Sequence, residues 1–234
     1  VSLTARDDAL AELMDDPACD PHLLRATLRR FGTVNRLVSG WGVVYRAQLR
    51  PHLAALGRPA RVLDIGSGGG DLVERLAAAA RRDGLDVTWT GIDPDPRAHE
   101  VAMARGPIEG ASFRISDAST LVREGEAYDA VLSNHVLHHL GDELPGFAEE
   151  SLALSRGIVL HSDIARSRLA YGLYAVGITP FARGTFLRTD GLRSIRRSYT
   201  RAELAAVMGE SMSGAWSVHM PVPFRIVAVG RGRA

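Results

Sequence analysis

Arg61-Val62-Leu63-Asp64-Ile65-Gly66-Ser67-Gly68-Gly69-Gly70 decides the fold. Residues 61–65 are a short, mostly branched apolar run, which predicts a buried strand. Residues 66–70 are nearly all glycine and predict a turn in which the backbone approaches a ligand closely. The alanine-rich run 71–82 predicts the helix that leaves it. Two readings compete for the turn. A dinucleotide site needs GxGxxG, with a third glycine for close helix–strand packing. Counted from Gly66, that position is Asp71, a carboxylate that would also face a pyrophosphate. The other reading is GxGxG preceded by an acid, here Asp64. A carboxylate ending the first strand suits a cationic group.

Downstream the alternation continues. Strands are predicted over 87–92, ending in Asp93-Pro94, over 112–115, ending at Asp117, over 128–133, and over 157–161. A helix is predicted over 97–105, and another opens near His135. This order predicts a doubly wound, mostly parallel α/β sheet, whose ligands sit at the carboxyl ends of the strands. From 163 to about 212 the alternation stops. There 164–178 reads as helix, 179–197 as irregular, and 200–208 as helix opened by a Thr200/Glu203 capping box. Residues 216–220 and 224–229 then read as a closing pair of strands. Upstream, 1–57 reads as helical, with Asp20-Pro21 opening one helix, Ser39-Gly40 ending it, and Pro51 kinking or restarting a second over 41–56. The expected organisation is an N-terminal helical arm or lid (1–57) on a ligand-binding domain (58–234) that carries a substrate-covering insertion at about 163–212.

Composition narrows the classes. Hydrophobic residues make up 46% and charged residues 24%, as in ordinary globular domains and unlike disordered chains. Cys19 is the only cysteine, which excludes a disulfide framework. All 28 basic residues are arginine, so no lysine can form a Schiff base or a P-loop. A net charge of +1 argues against a dedicated nucleic-acid binder. The uncharged stretch 169–182 is too short for a membrane span and contains Gly172, Gly177 and Pro180. The first 13 residues carry both signs of charge, unlike a secretory signal. The expected setting is reducing and cytoplasmic.

The acids at the strand ends point to S-adenosyl-L-methionine (SAM), which carries an ammonium and a sulfonium and no phosphate. Asp64, Gly66, Ser67 and Gly68 would face its methionine portion. Asp93, with Pro94, would accept the ribose hydroxyls. Asp117 and Ala118 would meet the adenine, and Ser133 and Asn134 would close the site near the sulfonium. The motifs VLDIGSGGG (62–70), GIDPDP (91–96), SDAST (116–120) and YDAVLSNHVLHHL (128–140) resemble those of class I SAM-dependent methyltransferases over about 61–163. That resemblance implies a seven-stranded Rossmann-like sheet with an antiparallel seventh strand, as the late strand pair fits.

Methyl transfer needs an aligned nucleophile and, for a hydroxyl, a base. His135, His138 and His139 have helical spacing just after the fourth strand. His139 is the first candidate base and His138 the second, because imidazole titrates near neutrality. HxxHH also offers metal-ligating nitrogens, to which His161 and Asp163 would add. In the ubiquinone-type O-methyltransferases that this segment resembles, the stretch reads acid-x-x-acid-His and can hold a divalent cation. Histidine replaces both acids here, so no residue is assigned to a metal.

Phe31, Trp41 and Tyr45 in the arm, and Tyr171, Tyr174, Phe181 and Phe186 in the insertion, suit a small aromatic or polyketide-like substrate. Between 163 and 201, Arg166, Arg168, Arg183, Arg188, Arg193, Arg196, Arg197 and Arg201 stand against Asp163 and Asp190. They form a solvated face, or they recruit an anionic or carrier-bound substrate. With the apolar stretch 169–182 they would also suit a membrane surface. The function expected is O-methylation of a phenolic or polyketide-type hydroxyl. C-methylation of a quinone-like ring is the alternative, and a non-catalytic SAM-binding or carrier-interacting module is the alternative of another class. Asn134 lacks the Pro-Pro-aromatic sequel of nucleic-acid amino-methylating enzymes.

Overall fold

The computed structural model describes residues 2–211 and 214–232; residue 212, the expected end of the insertion, lies outside them. Seven strands form one sheet: β1 (Ala60–Ile65), β2 (Val87–Asp93), β3 (Ala111–Ile115), β4 (Tyr128–Asn134), β5 (Ser155–Ile164), β6 (Trp216–Val222) and β7 (Arg225–Arg231). Their order is β3-β2-β1-β4-β5-β7-β6. β1 to β5 are parallel, and β7 runs antiparallel to both β5 and β6. The predicted sheet is therefore present.

Register brings the strand ends together. Ile65 lies opposite both Ile92 and Ser133, and Ser133 opposite His161. Strand residues alternate between two cores, as the two-residue period requires. Val62, Trp89, Leu132 and Leu160 pack on one face, and Leu63, Ile92, Val131 and Val159 on the other. Burial on both faces explains why β1 and β4 read as continuous apolar runs rather than alternating ones.

The first helix, α1 (Pro21–Val38), starts as its sequence predicts: Asp20 Oδ1 accepts from the backbone N–H of His22 and Leu23. After Gly40, α2 (Trp41–Val44), a π turn (Tyr45–Leu49) and α3 (Arg50–Ala55) follow one another. The Arg50 N–H bonds to the Tyr45 carbonyl, and this wide turn precedes Pro51, which has no N–H to give. α4 (Asp71–Arg82), α5 (Pro96–Met103), α6 (Ala118–Arg123), α7 (Leu137–Leu140) and α8 (Leu144–Leu154) connect the parallel strands.

The insertion differs from expectation. β5 runs on through Ile164, so the helix α9 covers only Arg168–Gly177. The region expected to be irregular holds α10 (Thr179–Ala182) and α11 (Leu187–Arg197). α11 buries only two large aliphatics, Leu187 and Ile195, and its many arginines hide that narrow stripe. α12 (Arg201–Ser211) has the predicted box: Thr200 N donates to Glu203 Oε2 at 2.7 Å, and Glu203 N to Thr200 Oγ1 at 3.3 Å.

The arm also differs. Residues 2–20 contain no helix and form an irregular strap. Leu13 N and Met14 N donate to the two carboxylate oxygens of Asp190 on α11, at 2.8 and 3.0 Å. Arg193 donates to the Ala11 carbonyl, and Arg6 to the His138 carbonyl.

Candidate active site

A cavity of about 900 Å³ opens at the carboxyl ends of β1, β2 and β4, under α1, α9, α10 and α11. That is near the upper end for ligand sites. Asp64, Gly66, Ser67, Gly68, Asp93, Pro94, Asn134, His138 and His139 line it, as do Phe31, Tyr174 and Phe181. Asp117, Ala118 and Ser133 are not among the lining residues. Asp117 caps α6, accepting from Thr120 N at 2.8 Å, and the buried Ser133 Oγ lies 2.8 Å from His161 Nδ1. Trp41, Tyr45 and Phe186 are buried core.

The polar end is acidic. Gly66 and Gly68 take φ of +69° and +53°, and a Cβ on Gly66 would lie 2.6 Å from Val136 Cγ2. Ser67 N donates to the Ile92 carbonyl, tying the glycine turn to β2. Asp93 accepts from Gly68 N and Asp95 N, each at 2.9 Å. Asp64 is buried, and its Oδ1 has no hydrogen-bond partner among the described residues. Burial, then the charges of Asp71 and Asp93, push its pKa well above the carboxylate range. Burial also raises Asp71 and Asp93. Three crowded carboxylates and an orphaned oxygen fit a ligand that brings positive charge, and disfavour a pyrophosphate.

The histidines sit in three different environments. His135 is outside the expected helix, at φ +64°, where its Nε2 accepts from Arg225 Nη1 at 3.2 Å. Burial, then the Arg225 cation, hold its pKa well below the imidazole range. His138 is clamped between acids: its Nδ1 lies 2.9 and 3.0 Å from the Asp163 oxygens, and its Nε2 3.2 Å from Glu12 Oε1. Burial lowers its pKa, but Asp163 and Glu12 outweigh that and raise it to about 9. Both of its nitrogens therefore donate, which leaves no lone pair for a base. This goes against the second candidacy given to His138. His139 lies at the cavity with a third of its side chain exposed. Its Nδ1 is 3.4 Å from Asp15 Oδ2, and its Nε2, 3.9 Å from Glu12 Oε1, lies beyond hydrogen-bond reach.

His161 belongs to the core, stacked near Trp216 and Phe147, where burial alone lowers its pKa to about 3. Two other groups, Glu12–His138–His139 and His135–His138–Asp163, bring ligand atoms within 4.8 Å of one another. Both draw on His138, whose nitrogens already serve carboxylates.

None of the eight insertion arginines is among the lining residues. Arg196 pairs with Asp7, Arg197 with Asp15 and Arg166 with Glu203, while Arg201 Nε donates to the Val218 carbonyl. Arg166, Arg193, Arg196, Arg197 and Arg201 thus fasten the strap and the insertion, and the anion-recruiting alternative has no support among the residues that line the cavity. Sequence reasoning missed Glu12, Asp15, Asp190 and Arg225, all of which line it. Glu12 and Asp15 carry no sequence signal, because the strap brings them to histidines over 120 residues away. Arg225, the one charged residue of the predicted strand 224–229, was the one visible anomaly.

A family model described as a methyltransferase domain matches residues 43–211. The chain belongs to that methyltransferase family. It is 30% identical to a ubiquinone biosynthesis O-methyltransferase of Methylocella silvestris over 67% of its own length and 64% of the relative's. A counterpart from Azorhizobium caulinodans is 28% identical over 73% and 71%. The chain thus spans somewhat less than two thirds of the first of these. Among solved structures, the plantazolicin methyltransferase BamL, in complex with a triazolic desmethylPZN analog and SAH, superposes with a TM-score of 0.59 at 20% identity, covering 82% of this chain and 70% of that one. The methyltransferase domain thus has its family's fold, and among the described residues no helix is long and apolar enough to cross a membrane.

Proposed function

We propose that this methyltransferase domain uses SAM to methylate a small molecule at a phenolic or polyketide-type hydroxyl. One observation carries the reading. A single cavity joins an acidic glycine turn, with the unpartnered Asp64 oxygen, to an apolar chamber beside the free His139 Nε2. Asp64 and the turn at Gly66–Gly68 would hold the ammonium end of the cofactor, and Asp93 its ribose. When bound, SAM supplies an electrophilic methyl group. His139 Nε2 takes the proton of the substrate hydroxyl, while Asp15 holds Nδ1–H and favours the imidazolium that forms. Arg197 and His139 keep Asp15 ionised against the cost of its burial. Phe31, Tyr174 and Phe181 exclude water and stack an aromatic acceptor. The names of the ubiquinone biosynthesis relatives, at about 30% identity, agree with a hydroxyl acceptor.

The test has two parts. Calorimetry should show binding of S-adenosylhomocysteine and none of NAD. Incubation with SAM and a phenol library should then give products heavier by one methylene and methylated on oxygen. Binding of NAD alone would overturn the cofactor; a carbon-methylated product would overturn the acceptor.

A further inference from the structure

A second cavity, of about 480 Å³, lies between α1, the π turn and α4, and shares no lining residue with the first. Arg36, Arg46, Arg75 and Arg82 converge on it, with Tyr45 and Asp83. Asp83 is its one acid, and that carboxylate is already engaged: it accepts from Tyr45 Oη at 2.8 Å and pairs with Arg50 Nε at 2.9 Å. Arg75 donates to the Asn35 carbonyl and to Ser39 Oγ, both neutral acceptors, so its position is fixed while no carboxylate pairs with it. Burial and the nearby Arg36 push its pKa down, with Asp71 pulling the other way. Arg36, Arg46 and Arg82 have no hydrogen bond or ion pair from their side chains among the described residues. Elsewhere Arg97, Arg166 and Arg197 each meet a carboxylate, and the buried Arg225 gives its guanidinium to Asn134, His135 and Ser162.

Four like charges gathered around one concave space repel one another, and an anion seated among them would turn that repulsion into attraction. Guanidinium forks match phosphate oxygens in pairs, and more than two forks match a group of more than one charge. The recess admits a group a few atoms across. We propose that this cavity, which shares no lining residue with the methyl-transfer site, binds the phosphate or diphosphate group of a small anion.

Inorganic pyrophosphate is the first probe, titrated calorimetrically into the whole chain at low chloride, with inorganic phosphate and phosphatidylglycerol vesicles as parallel arms. The expected result is saturable binding of one pyrophosphate per chain, with phosphate weaker. Arg36→Gln, Arg46→Gln and Arg82→Gln should each weaken it at least about tenfold, the scale of a hydrogen bond to a charged group. All three are exposed, and the unfolding temperature should not change. Arg168→Gln and Arg188→Gln, exposed and outside the cavity, should leave binding intact. No saturable binding, equal losses in the control variants, or binding of vesicles alone would each overturn the proposal.

Discussion

His138 and His139 are neighbours in one short helix, yet their nitrogens face opposite chemistry. His138 gives both to carboxylates, whereas His139 lines the cavity and its Nε2 has no hydrogen-bond partner among the described residues. His139→Ala should therefore lower kcat by about 10²–10⁴ while SAH affinity holds, as expected for loss of a base. Steady-state kinetics on the true substrate decides it, and near-full turnover would return the reaction to proximity alone. His138 should act on stability instead. Its folded pKa of about 9 lies above the unfolded value of about 6.5, so its contribution is complete below about 6.5 and is lost as pH rises through about 9. Asp163 and Glu12, both held below their ordinary values, contribute at the other edge and lose that contribution as pH falls. Urea midpoints between pH 6 and 10 should decline for the wild type and flatten in His138→Gln. Asp163→Ala leaves an imidazolium short of a partner and should cost about 3–5 kcal/mol. The glycine turn and Asp64 were legible because each belongs to a local pattern of strand, turn and helix. The protonation of His138 was not, because it depends on Glu12 and Asp163, which no local pattern connects to it.

Among the elements, the strap and α11 form the part that the sequence concealed. A strand or helix in the sheet core announces itself by periodicity, which is why α4 and β1 to β4 lie within a residue or two of their predicted bounds. The strap has no period, and α11 carries polar side chains whose purpose is visible only once the strap is laid against them. Asp190 is the joint: its carboxylate accepts two strap N–H groups from inside the cavity wall. Asp190→Ala removes two charge-assisted bonds, each worth about 1.5–3 kcal/mol. Much of that loss should appear as local opening, because the sheet core does not depend on the strap. Hydrogen exchange at the Leu13 and Met14 amides should rise steeply while the β4 and β5 amides keep their protection. With Glu12 and Asp15 displaced, kcat/KM should fall without loss of SAH affinity. Unchanged exchange at those two amides would mean that the other contacts of the strap, among them those of Arg97, Arg193, Arg196 and Arg197, hold it without Asp190.

Over the whole molecule, the sheet converts scattered acids into one site, and that site costs stability. Parallel register aligns the ends of β1 and β2, so Asp64 and Asp93 meet beside Asp71 at the start of α4, and burial removes the water that would screen them. A carboxyl group whose folded pKa lies above its unfolded value stabilises the fold only at acid pH, and loses that contribution as pH rises through the folded value. At neutral pH, Asp64 therefore works against the ligand-free chain. Asp64→Asn keeps the shape, removes one of the crowded charges, and should stabilise the ligand-free protein by about 0.5–2 kcal/mol, the usual scale for relieving a functional site. The same change removes the acceptor proposed for the cofactor's ammonium, so affinity for SAH should fall about tenfold or more. Denaturant melts without ligand, set beside calorimetry with SAH, measure both effects on one variant. Stability gained with affinity lost is the result expected of a carboxylate kept for a cationic ligand. Stability lost with affinity unchanged would make Asp64 a structural residue of β1 and would leave the acidic end of the cavity without its proposed ligand.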